Sequence, residues 1–515
     1  MNRYKEANDR LVVPKELTDK LAEAKTDKRY VWIVSMAAVL ILFFTLTGVI
    51  FSMKDGDDYM NEKLADAQNM NTTQNTGALP TILAPEAVQT SQYALIKAVY
   101  PQMSPYPDHL KYTDESTGMF DGEGFEAAYD AWKDDRRAQA SQLEGYDQGL
   151  EGFYEKTARQ FLTGAQSDNL IYSPLNVYMA LAMLAETTDG ESRAQILELL
   201  GAEDIGQLRM QAKALWNANY SNDGLNQSVL ASSLWLNEDI EFNEDTIKTI
   251  ADNYYSSAYQ GVMGSSELDE ALRTWLNEQT GGLLKDEVAG VELDRESVLA
   301  MATTVYFQAR WSAEFNKNNN TQNVFRAPDG DINCTFMNQS LARDYYWGDS
   351  FSAVCQNFTE SGEMWLILPD EGTSVDELLA NDSVFDLLDK QDNWEDKKFL
   401  TVNLSVPKFD ASSKIDLSDG LKKMGVTDVF DDTRSDFSPL TSQVDGVYLS
   451  KVDHAARVTI DEEGCTAAAY TVMALCGAAM PPQEEVDFVL DRPFVFAITG
   501  QGDSLMFMGV VNKAE

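Results

Sequence analysis

Cysteine, histidine and positive charge are all scarce in this chain. Its 515 residues hold four cysteines (Cys334, Cys355, Cys465, Cys476) and two histidines (His109, His454), with no CxxC pair. A zinc site built from clustered Cys and His ligands is therefore excluded. A Ser/His/Asp hydrolase would have to take one of those two histidines as its base, and no G-x-S-x-G turn is present to carry a nucleophile. Phosphate-binding and dinucleotide-binding glycine loops are missing as well. No catalytic residue, metal or cofactor is expected. Against 83 acidic residues there are only 40 Lys and Arg, giving a net charge of −43; such a chain repels a phosphate backbone, so nucleic acid is not a partner.

What the chain does contain begins with one long apolar run. Residues 31–53 read VWIVSMAAVLILFFTLTGVIFSM without a charge, and as a helix they would measure about 34 Å, enough for a bilayer core of about 30 Å. The run is apolar all round rather than amphipathic, and is too long for the core of a signal peptide. Lys28 and Arg29 precede it and Asp55, Asp57 and Asp58 follow. The positive-inside rule then predicts a cytoplasmic tail (1–30), a single transmembrane helix (31–53) acting as a signal-anchor, and an extracellular remainder at the cell membrane. Residues 54–148 are expected to form an exported stalk or linker: the part up to 78 is polar, and the rest is proline-containing with possible helices at 87–99 and 124–138, and either packs on the body or extends it.

Regular patterning starts at Leu150. Apolar residues recur at helical spacing over 150–162, and Ser173-Pro174 opens a second buried helical run at 177–184 as a cap and first-turn proline do. Strand-like runs dominate later, at 298–307, 365–368, 400–406, 447–452, 456–460 and 495–498. Helices first and strands later imply an α+β body over 149–515.

Five segments of that body resemble the serpins, a family of serine protease inhibitors. They are NLIYSPLNVYMALAML from Asn169, WLNEQTGG from Trp275, VYFQARW ending at Trp311, LSKVDHAARVTIDEEG ending at Gly464, and the pair DRPFVF from Asp491 and LMFMGVVN from Leu505. They stand in family order across the body. The resemblance implies a large mixed central β-sheet, two smaller sheets, a helical layer and an exposed reactive centre loop. It implies a monomer that inhibits without a cofactor: a protease cuts the loop, is held as an acyl-enzyme, and the freed loop inserts into the central sheet. Counting from Gly464 places the reactive bond at Ala478–Ala479, flanked by Gly477 and Met480, and a count back from Pro481-Pro482 agrees. The hinge is Glu462, Glu463, Gly464, Cys465, Thr466, Ala467, Ala468 and Ala469. Loop entry is assigned to Ser173, Asn176, Thr303, Trp311 and His454. The family usually has Ser at the position of Asn176 and Asn at that of Thr303, which suggests an exchanged polar pair bonding His454.

The loop itself fits insertion. From Gly464 to Met480 it carries no charge and no proline, and in a strand Cys465, Ala467, Ala469, Thr471, Met473 and Leu475 would share the core-facing side while the bulky Tyr470 faces outward. A small residue before the cut suits elastase-like or subtilisin-like proteases and leaves the Asp of a trypsin-type pocket unpaired. The alternative is a non-inhibitory serpin-fold binding or adhesion protein, whose loop is cut without trapping. Cys334 and Cys355 are candidates for a disulfide in an exported protein, and the single-pass topology with an acidic body suits a bacterial surface.

Overall fold

The computed structural model describes residues 90–114, 117–285, 288–449, 452–465 and 482–514. Residues 31–53 and the reactive-bond residues Gly477, Ala478, Ala479 and Met480 lie outside the described residues. Among the described residues no helix is long and apolar enough to cross a membrane.

In chain order the first strands are β1 (Ala94–Ile96), β2 (Leu170–Tyr172), β3 (Ser221–Asn222), β4 (Gln227–Asn237), β5 (Ser256–Gly261), β6 (Leu299–Arg310), β7 (Thr321–Ala327), β8 (Gly330–Trp347) and β9 (Phe351–Asn357). Then follow β10 (Glu363–Pro369), β11 (Lys397–Pro407), β12 (Phe409–Asp416), β13 (Asp453–Ile460), β14 (Gly464–Cys465), β15 (Glu485–Val489), β16 (Phe494–Thr499) and β17 (Leu505–Val511). The helices used below are α1 (Gly122–Ala140), α2 (Glu151–Leu162), α3 (Pro174–Thr187), α4 (Gly190–Leu200), α5 (Ile205–Asn219), α6 (Glu244–Tyr254) and α7 (Ser266–Gln279).

The strands make two sheets. The first has the order β1-β5-β4-β6-β14-β13-β12, with β3 on the side of β4; the second runs β15-β11-β8-β9-β10-β16-β17-β2, with β7 on β8. The expectation of two smaller sheets beside the central one is corrected: they are one nine-stranded sheet. The 18 residues of β8 join them, because its middle and end pair with β11 while Tyr345–Trp347 also pair with β9. Apolar residues from both sheets and α3 form one core. Helix α3 is capped by the Ser173 hydroxyl with Pro174 in its first turn, and is buried on nearly every side, which its lack of a polar face requires.

Of the segment 54–148, residues from 90 onward are described, apart from 115 and 116. Residues 90–114 and 117–148 pack on the body, one of the two arrangements the sequence leaves open. The helix expected at 87–99 is instead a short 3-10 turn at Ser91–Tyr93 and then β1, which adds an antiparallel edge strand to β5; an available sheet edge outweighs a weak local preference. Tyr100 packs against Trp216, with ring centroids 5.3 Å apart and planes tilted by 37°. Helix α1 buries Trp132, whose indole N–H donates to Asp223 Oδ2 at 2.8 Å. Of the expected strands, residues 447–449 are irregular: the Leu449 N–H bonds to the Val429 carbonyl at 2.7 Å instead of joining a ladder.

Candidate functional site: the gap in the central sheet

Strand β6 is paired along one edge with β4, in continuous register from Leu299 opposite Leu236 to Gln308 opposite Gln227. Its other edge is nearly empty among the described residues. Only Gly464 opposite Arg310 and Cys465 opposite Ala309 occupy it, and Cys465 touches β13 through a single pairing with Ile460. Along the first part of β6, Leu299–Thr304, lies a cavity of about 440 Å³, walled also by Val177 and Leu181 of α3, Leu272 and Leu276 of α7, and Ala455 of β13. The sheet is thus parted between β6 and β13, with two residues already seated at one end of the opening.

That end is built around a turn from Asp461 to Gly464. The Asp461 carboxylate accepts from the backbone N–H groups of Glu463 at 2.8 Å and Gly464 at 3.1 Å, while the Asp461 N–H donates to the Gly464 carbonyl at 3.0 Å. Burial pushes the Asp461 carboxyl up, and those two N–H groups oppose it. Carbonyls 461, 462 and 463 each receive a bond from the chain just after β6, namely from Trp311 Nε1 at 3.0 Å, Phe315 N at 2.9 Å and Trp311 N at 3.1 Å. Trp311 is itself held by stacking on Phe358, with centroids 4.6 Å apart and planes 9° from parallel.

Charge pairs close the latch. Glu462 is buried and accepts from Lys408 Nζ at 2.6 Å and Asn320 Nδ2 at 2.5 Å; Glu463 pairs with Lys317 at 2.6 Å. Burial alone would raise the Glu462 carboxyl, but Lys408 and Asn320 together hold it below its usual range. Sequence reading missed Lys317, Asn320 and Lys408. Their only signal was the rarity of lysine in so acidic a chain, since no spacing rule links 317 or 408 to 462.

Gly464 has a steric role. A Cβ there would lie 2.2 Å from the Ala309 carbonyl oxygen and 2.8 Å from Arg310 Cα, both backbone atoms of β6 that cannot swing aside. Gly464→Val is therefore expected to expel the two seated residues, destabilise the chain by about 2 kcal/mol as overpacking does, and abolish hydrogen-exchange protection at the Cys465 amide. Retained protection in that variant would show that the seating is not governed by this contact.

The loop-entry residues fall in three places. Ser173, Asn176 and His454 meet where β13 crosses the start of α3. His454 Nε2 accepts from the Ser173 backbone N–H at 3.1 Å, and Ser173 Oγ donates to the Met506 carbonyl at 2.6 Å. The suggested exchange of polar partners is corrected: the acceptor position on His454 is filled by a backbone N–H, and the Asn176 carboxamide is buried without a partner. Thr303 stands on the cavity wall. Trp311 belongs with Glu462, Glu463, Gly464 and Cys465 at the seated end, and Thr466, Ala467, Ala468 and Ala469 lie outside the described residues.

His454 is fully enclosed, and burial lowers its pKa from 6.5 to about 4. Since Nε2 accepts, the neutral ring carries its proton on Nδ1. In the unfolded chain the ring takes up a proton near pH 6.5, whereas the folded chain resists it until about pH 4. The contribution of His454 is therefore complete above pH 6.5 and falls away as the pH drops toward 4, by up to about 3 kcal/mol. Urea denaturation at pH 7.5 and 4.5 is expected to show a smaller acid loss for His454→Asn than for the parent chain; an equal loss would assign the acid sensitivity to other groups.

Three cysteines can be placed. Cys465 is buried in β14; Cys334 and Cys355 are free thiols, so the suggested Cys334–Cys355 disulfide is absent. They sit on different strands with different cross-strand neighbours, Cys334 opposite Asn323 and Cys355 opposite Trp365. Burial, together with the neighbouring Glu363 carboxylate, pushes the Cys355 thiol well up, which makes it unreactive.

Comparison with known proteins agrees with this architecture. Residues 150–514 match the family model described as serpin (serine protease inhibitor). Similar proteins include a putative serpin-Z12 of Oryza sativa subsp. japonica, 27% identical over 376 residues (68% of this chain, 86% of that one), and the leukocyte elastase inhibitor of Homo sapiens, 26% identical over 354 residues (66% and 92%). Among solved structures, the thermophilic serpin tengpin in its native state superposes with a TM-score of 0.64 at 25% identity, covering 72% of this chain and 95% of that one. The native stressed conformation of Arabidopsis AtSerpin1 gives 0.63 at 23% identity, covering 72% and 98%, which bears on the fold alone. The chain belongs to the serpin family, whose members are generally protease inhibitors and are not enzymes.

Proposed function

We propose that this serpin inhibits serine proteases by covalent trapping, with Ala478–Ala479 as the reactive bond and elastase-like or subtilisin-like enzymes as its targets. The observation that carries the reading is β14: a strand begun by Gly464 and Cys465 in the parted sheet and not continued among the described residues. Extending its register sets Ala467 opposite Phe307, Ala469 opposite Val305 and Thr471 opposite Thr303. Directly opposed residues share a face, and Phe307 lies against Phe507 of the second sheet, with centroids 6.2 Å apart. The odd-numbered loop residues would therefore enter the core side, and these are the small or apolar ones.

In this reading the protease serine oxygen attacks the Ala478 carbonyl carbon, the bond to the Ala479 nitrogen breaks, and that nitrogen leaves with a proton from the protease histidine. The ester so formed is carried away as the loop inserts, before water can hydrolyse it. The apolar run at 31–53 is proposed to tether the inhibitor to a cell membrane, bacterial on its topology, with the serpin domain outside.

The test is a denaturing gel after incubation with an elastase-type protease. A boiling-resistant band at the summed mass is expected from the parent chain, and only clipped serpin from Ala469→Pro, because proline removes a ladder donor and cannot join a central strand. Clipped product alone from the parent chain would sink the inhibitory reading in favour of a binding or adhesion role. A summed-mass band from Ala469→Pro would show that trapping proceeds without insertion.

A further inference from the structure

In the second sheet β8, β11 and β15 run side by side, and their registers sort the side chains into two faces. Phe399 stands opposite Asp344, Thr401 opposite Ala342 and Glu485, Asn403 opposite Ser340 and Asp487, and Ser405 opposite Asn338 and Val489. Directly opposed residues share a face, and the alternate residues Leu400, Val402 and Leu404 are buried in the core. The first set therefore makes the outer face. Phe399 on it is 61% exposed, more than any other aromatic side chain among the described residues. Further along β11 the same face hollows into a groove of about 400 Å³, whose polar lining is amide and hydroxyl with Asp487 as the one charge. The lining is held in place from within: Ser340 Oγ donates to Asn403 Oδ1 at 2.8 Å, Asn403 Nδ2 to Asp487 Oδ1 at 2.9 Å, and Ser405 Oγ to Asn338 Oδ1 at 2.8 Å.

What covers this face follows from the chain that ends on it. The Thr401 N–H donates to the Glu484 carbonyl at 3.0 Å, and β15 continues beside β11 from Glu485. Ala479 stands six residues before Glu485, a distance of at most about 22 Å along extended chain, and Phe399 lies about 7 Å from Thr401 along β11. A protease domain of about 230 residues is roughly 45 Å across. One seated on Ala478–Ala479 is thus large enough to reach the outer face, an argument that rests on the reading of that bond as the reactive one. The composition suits such a partner, because an exposed aromatic anchor beside adaptable amides and hydroxyls is what protein-binding surfaces use. Asp344, Glu485 and Asp487 lie along the face, and a net charge of −43 draws in a cationic protein. We propose that the outer face of β8, β11 and β15 is a second contact for the protease docked on the reactive bond. Phe399 is its apolar anchor and the groove takes a basic surface loop of the enzyme, so that among small-residue-cleaving proteases this serpin selects those with a cationic rim.

The test is the second-order rate of cutting at Ala478–Ala479, measured with the elastase-type or subtilisin-type protease that consumes the parent chain fastest. Phe399→Ala is expected to lower it at least about fivefold, as loss of an interface anchor does. Ser340→Tyr, which fills the groove from an exposed position, should slow it to a similar extent. Raising the salt from about 0.05 to 0.5 M should lower the parent rate about tenfold by screening the attraction. Both substituted side chains face solvent, so melting temperatures should stay at the parent value, and Met210→Ala, at a 57% exposed position on α5, should leave the rate unchanged. A parent-like rate in Phe399→Ala, or an equal drop in Met210→Ala, would overturn the second contact, and a rate indifferent to salt would overturn the cationic preference. The rate counts cut chains whether or not they trap the enzyme. Clipping without trapping, slowed in the variants, would sink the inhibitory reading and leave this face standing, whereas trapping at parent speed in the variants would sink the face alone.

Discussion

Cutting the chain between Ala478 and Ala479 is expected to raise its melting temperature by at least about 10 °C, the reverse of what a nick in a surface loop normally does. Ten residues of β6, from Leu299 to Gln308, pair with β4 on one side and meet no strand on the other among the described residues. A freed loop entering there would add hydrogen bonds along both edges, each worth about 1 kcal/mol net. It would also bring alanines, Thr471 and Met473 against the apolar wall of a 440 Å³ cavity. The sum is on the order of 10 kcal/mol. Before the cut the segment is tethered at both described ends, by Cys465 in one sheet and by β15 beside β11 in the other, so that gain is withheld. Scanning calorimetry of intact and clipped chain is the check. An unchanged midpoint after clipping would mean that the opening stores no usable energy, and covalent trapping would lose its drive.

The second large effect is expected from Trp132→Ala. Trp132 is 1% exposed, meets Tyr106 edge to face at 5.0 Å, and gives its indole N–H to Asp223 Oδ2. The same carboxylate caps the turn that leads into β4 through the N–H groups of Leu225 and Asn226, so removing the indole leaves a cavity and takes a donor from a buried acid. A loss of about 3–5 kcal/mol follows. Because α1 is otherwise held by polar bonds such as Gln139 Nε2 to the Asn217 carbonyl and an Arg136 N–H to the Glu360 carbonyl, the loss should appear locally. Limited proteolysis within residues 122–140 and faster exchange in β1 are expected, while β16 and β17 keep their protection. Uniform loosening of both sheets would show instead that residues 90–148 are part of the global folding unit.

Much of the fold was legible because it is local. Ser173-Pro174 announces α3 through a cap and a ring with fixed φ, and the strands at 400–406 and 495–498 emerge as β11 and β16 because alternation and β-branching are properties of neighbouring residues. The alternation proposed for the loop is a reading of the same kind, since a period of two needs no partner. Where reading failed, the deciding partner was distant in sequence. β1 became a strand because the edge of β5 was free, residues 447–449 stayed irregular because Val429 claimed the Leu449 N–H, and two smaller sheets became one because β8 is long enough to reach both neighbours.

The sequence by itself determined the family and the uncharged, proline-free character of the segment behind Gly464, since each is a matter of residue identity and spacing along one chain. Only the tertiary structure decided that β6 and β13 stand apart with Gly464 and Cys465 seated between them, that Lys408, Asn320 and Lys317 hold the two glutamates, and that His454 is bound by a backbone N–H. Those facts depend on which atoms approach across sequence separations from 54 residues (Lys408 to Glu462) to 281 (Ser173 to His454), and such approaches are set by the packing of whole sheets, about which the order of residues along the chain is silent.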